Sequence, residues 1–194
     1  MKAMPTSFCA VSDSPNRYQA ANAFTIGWMG SPTTAPYLTE IEPALQRFFS
    51  SHTGRLVLVG SGAVALNGLP LEVHRWSEAK ELEELVDFDV GIMPLPDTPW
   101  TRGKCGFKLV QYMAVGLPVV ASPVGVNSTI VEHGVDGYLA AGSADWLNAL
   151  VTLAEDRSRG HAMGETGRVK IERHYSLQST APRLVELLKE ASRS

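Results

Sequence analysis

The chain is 194 residues long, 44% hydrophobic and 19% charged. That is enough apolar material to bury a core, which excludes a disordered chain, and no stretch approaches the roughly 20 apolar residues of a membrane-spanning helix. A formal charge of −3 argues against a nucleic-acid binder, and two distant cysteines, Cys9 and Cys105, exclude a disulfide framework and leave no metal-ligand spacing. No apolar segment of a secretory signal follows Met1-Lys2, so the expected compartment is a reducing cytoplasm.

Residues 1–23 carry Ser, Pro, Asn and Gln without a sustained period and read as a linker or tail. From Phe24 the texture changes. Phe24–Met29 (FTIGWM) is continuously apolar, as a buried parallel strand is. Gly30-Ser31-Pro32-Thr33-Thr34 follows, and its small residues let backbone N–H groups approach an anion at a helix start. The same residues also suit a plain tight turn. Tyr37, Leu38, Ile41, Leu45, Phe48 and Phe49 recur at spacings of three and four, which predicts an amphipathic helix ending near Gly54.

A second strand, Arg55–Val59, exits through Gly60-Ser61-Gly62, either a close approach to a ligand or a flexible strand end. Leu71–His74 is a weaker third strand. Beyond it, Trp76 either stacks on a flat base or packs before the next helix. Ser77 is the predicted cap of that helix, with Glu78 and Glu81 near its positive end and Leu82, Leu85 and Val86 facing inward.

Val90–Met93 is the fourth strand, and a proline-rich loop leads from it to a helix predicted over 106–115. Lys104 and Lys108 are four apart, with Arg102 close by. Cations at a helix N-terminus oppose the macrodipole, so they cost stability unless an anion is expected there. A phosphate or diphosphate is the expected anion; a solvated basic surface is the alternative. Gln111, one turn beyond Lys108, can offer its amide to a hydroxyl-rich ligand.

Pro118–Ala121 and Gly137–Ala140 complete the strands. Helices are predicted over 127–133, 143–155, 158–173 and 177–192, with Asn127, Ser143 and Ser176 as caps. Glu132 and His133 are explained by a helix end with Gly134 behind it rather than by acid–base chemistry. No catalytic triad, zinc motif, P-loop or dinucleotide fingerprint is present. Strand and helix alternate over short connections, which predicts an α/β domain with a doubly wound parallel sheet and helices on both faces. Ligands of such a sheet gather at the carboxyl ends of the strands, near the topological switch point.

The segment FKLVQYMAVGLPVVASPVGVNSTIVEHGVDGYLA closely resembles the donor-binding, C-terminal half of GT-B glycosyltransferases of the group 1 family. FTIGWMGS, LVLVGSG and ELVDFDVGIMPL agree with it, and the resemblance covers about 24–192. It implies a Rossmann-like domain over 24–194 that is one half of a GT-B fold. It further implies a sugar transfer, with retention, from a nucleotide-sugar (UDP-, GDP- or ADP-sugar), with no cofactor and no metal. The acceptor-binding N-terminal domain would be missing from this chain, leaving it able to bind nucleotide weakly and to transfer sugar hardly at all. Residues 1–23 would be the interdomain linker, 177–192 the helix packing back toward the missing half, and the full-length protein cytoplasmic or peripheral at the inner face of the membrane.

The resemblance also assigns roles residue by residue. Gly30, Ser31 and Thr33 would approach the diphosphate or sugar, and residues around Trp76 the base. Lys104 and Lys108 would hold the diphosphate, with amides of Gly106 and Phe107 adding donors, and Gln111 would meet the ribose. Two glutamates flanking seven residues are usual in the family; here Gly103 and Gln111 occupy those positions. The family's Arg and Lys after the first strand are absent, the turn carrying Ser31, Thr33 and Thr34 instead. No catalytic residue is assigned. A non-catalytic nucleotide-binding or interaction module on the same fold, and a sugar-nucleotide epimerase of the same architecture, are the alternatives.

Overall fold

The computed structural model describes residues 23–193, so the predicted linker, apart from Ala23, lies outside the described residues, as does Cys9. Six strands form one sheet: β1 (Phe24–Met29), β2 (Gly54–Val59), β3 (Leu71–His74), β4 (Val90–Met93), β5 (Val119–Ala121) and β6 (Gly137–Leu139). Their order is β3-β2-β1-β4-β5-β6, and every adjacent pair is parallel. Helices cover both faces, as a parallel sheet requires. The chain winds from β1 outward to β3, then returns to the other side of β1 as β4. The switch point therefore lies between β1 and β4.

Alternate residues of each strand feed different cores. On one face Phe24, Ile26 and Trp28 join Leu56, Leu58, Val90, Ile92 and Val120 beneath α1 (Glu42–Ser51) and α6 (Ser143–Glu155). On the other, Met29, Val57, Val59, Val119 and Ala121 meet α2 (Glu81–Val86) and α4 (Phe107–Ala114). Two short helices, α3 (Pro99–Arg102) and α5 (Asn127–Ile130), sit in the returns from β4 and β5. The long α7 (Arg157–His174) follows α6 directly, and α8 (Leu177–Ala191) ends the described chain.

Several local expectations are corrected. The apolar stripe from Tyr37 is split: Ala35–Ile41 is a 3-10 helix with Pro36 in its first turn, and α1 begins only at Glu42. Pro43, a second proline in a first helical turn, restarts the chain there as a regular α-helix. Helix α3 was not expected; Thr98 and Thr101 build it by exchanging side-chain hydrogen bonds with each other's backbone N–H groups. Ser77 does not cap α2, which starts after Lys80 without a side-chain cap. Asn127 and Ser143 lie inside their helices rather than before them. Asp145 serves α6 instead, accepting from the N–H groups of Ala141 and Gly142. Ser176 caps α8 as predicted, its Oγ accepting from Ser179 N at 3.2 Å.

No residue of α8 is buried, and Leu177, Leu184, Val185, Leu187 and Leu188 stand exposed along it. No helix among the described residues is long and apolar enough to cross a membrane.

Candidate functional site

β1 pairs with β2 along its whole length but with β4 only at Ile26 and Gly27. Past Gly27 the two central strands part, and the last N–H of β1 loses its strand partner on that side. Tyr112 of α4 fills the gap: Met29 N donates to its hydroxyl at 2.8 Å. The ring lies over Gly91 of β4, where a Cβ would come within 2.5 Å of it. Burial pushes the Tyr112 phenol above its ordinary value, so it stays a neutral hydrogen-bonding group. A Tyr112→Phe variant should lose about 1–3 kcal/mol in urea unfolding, because Met29 N–H is then buried without an acceptor.

This bond fixes α4 above the crevice. Gly106, at φ +66°, precedes the helix in the left-handed region, and a Cβ there would strike Ile130. No side chain caps α4. The first-turn N–H groups, those of Phe107 and Lys108 among them, therefore point outward without an intrahelical acceptor.

Lys108 reaches back from α4 to the end of β1. Its Nζ lies 4.0 Å from the Trp28 ring centroid and 3.3 Å from Thr34 Oγ1. A Cβ at Gly30 would sit 2.5 Å from the same nitrogen. Among the described residues no carboxylate pairs with it. Burial, with the charge of Lys104 adding to it, holds the amine down to about 7. Lys104 itself lies over the rings of Tyr37 and Trp100, at 5.9 and 6.0 Å. The predicted third cation, Arg102, is not part of this pair: Asp97 takes its guanidinium through two contacts of 2.6 and 2.9 Å.

The turn after β1 faces the lysine. Ser31 Oγ and Thr33 Oγ1 are 2.8 Å apart, and Thr34 donates its hydroxyl to Ser31 O. Gly30, Ser31, Thr33 and Lys108 thus come together around the crevice, with Lys104, Gly106 and Phe107 at the start of α4. Phe107 presents an exposed ring.

Trp76 and Gln111 meet through a residue that sequence reasoning had given only a helix-end role. Glu81 Oε2 accepts from Trp76 Nε1 at 2.8 Å, and Oε1 accepts from the Gln111 amide. Half of the indole remains exposed. Glu81 and Tyr112 are the residues of the candidate site that the sequence reading missed. For Tyr112 the one available signal was a phenol within an otherwise apolar stretch.

The profile of the family described as Glycosyl transferases group 1 matches residues 23–156. The chain belongs to the group 1 glycosyltransferases. Among named relatives, the D-inositol 3-phosphate glycosyltransferase of Corynebacterium kroppenstedtii is 36% identical over 90 residues, which is 45% of this chain and 20% of that protein. The chain thus spans about a fifth of that relative's length. Among solved structures, a mutant of TarM of S. aureus, determined with fondaparinux, alpha-GlcNAc-glycerol and UDP, superposes with a TM-score of 0.71 at 15% identity. The match covers 91% of this chain and 37% of TarM. The C-terminal domain of a group 1 glycosyltransferase (LpcC) from Francisella tularensis gives a TM-score of 0.64 at 16% identity, covering 84% of this chain and 95% of that domain. These likenesses establish a Rossmann-like GT-B half as the fold.

Proposed function

We propose that residues 24–194 are the donor-binding, C-terminal half of a glycosyltransferase that moves a sugar from a nucleotide-sugar to an acceptor, with retention. The observation that carries the reading is Lys108: a largely enclosed amine without a carboxylate partner among the described residues, held against Trp28 at the switch point and flanked by Lys104. A cation in that setting is costly unless an anion completes it. The unpaired N–H groups at the start of α4 lie beside it, so a diphosphate would meet both.

In this reading Gly30, Ser31 and Thr33 line the side toward the transferred sugar, and Lys104, Lys108 and the amides of Gly106 and Phe107 hold the diphosphate. The exposed Trp76 indole takes the base. Developing charge on the leaving diphosphate is then met by fixed ammonium groups and main-chain dipoles. Residues 1–23 link this half to an acceptor-binding half, toward which the exposed apolar side of α8 turns. Nucleotide donors are cytoplasmic metabolites, which agrees with a cytoplasmic protein, free or peripheral at the inner membrane face. UDP complexes of similar folds, TarM among them, make UDP the first nucleotide to try.

Titration calorimetry of the 194-residue chain with UDP, GDP and ADP tests the reading. Binding of at least one is expected. A folded chain that gives no heat with any of them defeats it. Sugar transfer itself requires the acceptor half, because alignment of donor and acceptor supplies much of the rate.

A further inference from the structure

Between the base side and the phosphate side of the proposed donor site stands Glu81, and nothing in the donor reading so far uses its charge. The residue is half-buried at the first position of α2. Its two oxygens each accept from a neutral donor, Trp76 Nε1 at 2.8 Å and the Gln111 amide, and the two donors come from different elements. This clamp fixes the plane of the carboxylate. Each oxygen keeps a further lone pair, since an ionised carboxylate offers about four acceptor positions in all.

The connectivity of a nucleotide does the rest. Lys108 lies one turn before Gln111 on α4, and Trp76 lies beyond Glu81 from Gln111. If the diphosphate is at Lys108 and the base at Trp76, the ribose must lie between them, and that is the stretch Glu81 occupies. A vicinal diol presents two O–H donors at a spacing that suits the two oxygens of one carboxylate, and hydrogen bonds to an ionised acceptor are the strong ones.

We propose that Glu81, oriented by Trp76 and Gln111, is the acceptor for the ribose 2′- and 3′-hydroxyls and makes the site selective for ribonucleotides over 2′-deoxyribonucleotides. The assignment rests on the donor-binding reading. In it Gln111 positions the carboxylate instead of meeting the sugar hydroxyls alone.

The test is calorimetry of the chain with UDP, GDP and ADP, each beside its 2′-deoxy counterpart. The parent is expected to bind the ribonucleotide about tenfold or more tightly than the deoxynucleotide. Glu81→Ala should bring that ratio close to one. Glu81→Gln, of the same shape and without charge, should fall between. Glu81 sits at the surface end of a short helix, so both variants should fold, and tryptophan fluorescence checks that they do. Equal affinities of the parent for ribo- and deoxynucleotide overturn the assignment while leaving the donor site intact. So does an unchanged ratio in Glu81→Ala. Failure of the parent to bind any nucleoside diphosphate instead removes the donor reading, and this assignment with it.

Discussion

A Lys108→Met variant is expected to resist urea better than the parent at pH 7 while losing roughly tenfold to 150-fold in affinity for nucleoside diphosphate. The affinity loss follows from one charge-assisted contact, worth about 1.5–3 kcal/mol. The stability gain follows from the lowered amine. In the fold it titrates at about 7, against an ordinary value of 10.5. Between those values the unfolded chain binds the extra proton, so the parent gains stability as pH rises through that window, and below it the whole penalty applies. At pH 7 the penalty is about 4 kcal/mol, from which the lost contact with Trp28 takes back about 1–2. The advantage of the variant should therefore be greatest below pH 7 and fade toward pH 10.5. Urea midpoints at pH 6, 8 and 10 check this; an advantage that grows with pH contradicts it. Nucleoside binding should change far less than diphosphate binding.

Asp89→Ala should act in the opposite sense, at the opposite rim of the sheet. Asp89 precedes β4 and is 7% exposed. It accepts from Thr25 N at 2.7 Å and pairs with Arg157, whose guanidinium lies 4.7 Å from the Phe24 ring centroid. Removing the carboxylate takes an ion-pair partner from a mostly buried guanidinium and the acceptor from the Thr25 N–H together. The expected loss is about 3–5 kcal/mol in urea unfolding. Asp89→Asn keeps an acceptor for Thr25 and should lose less. Affinity of the folded protein for nucleoside diphosphate should stay as in the parent, because the proposed anion site is at the carboxyl ends of the strands. Loss of affinity in proportion to stability would show that the two rims are coupled.

The central strands were legible in the sequence because both of their faces are buried, whereas the edge strand β3, with no buried residue, reads as weaker. FTIGWM and VGIM could be nothing but central, and each occupies the predicted span. Helix α6 likewise runs over 143–155, where an apolar stripe fills one face. The misses have a common physical cause. Ser77, Asn127 and Ser143 satisfy the composition rule for a cap, yet a cap depends on backbone angles one residue before the helix, which composition does not set. Proximity in sequence groups Arg102 with the lysines, whereas Asp97, five residues before it, turns it away. Glu81 illustrates the larger gap. Thirty residues separate it from Gln111, and only the packing of α2 and α4 against the same face of the sheet makes them neighbours.

The start of α4 has a further consequence. Its outward-pointing amides come from the main chain, and what keeps them in place is a glycine turn and one phenolic bond across the switch point. Substituting Lys104 or Phe107 leaves those amides where they are. In the proposed donor site, sequence drift around the pocket would thereby be uncoupled from the capacity to hold an anion, and such a domain could be redirected to new donors by changing its periphery alone.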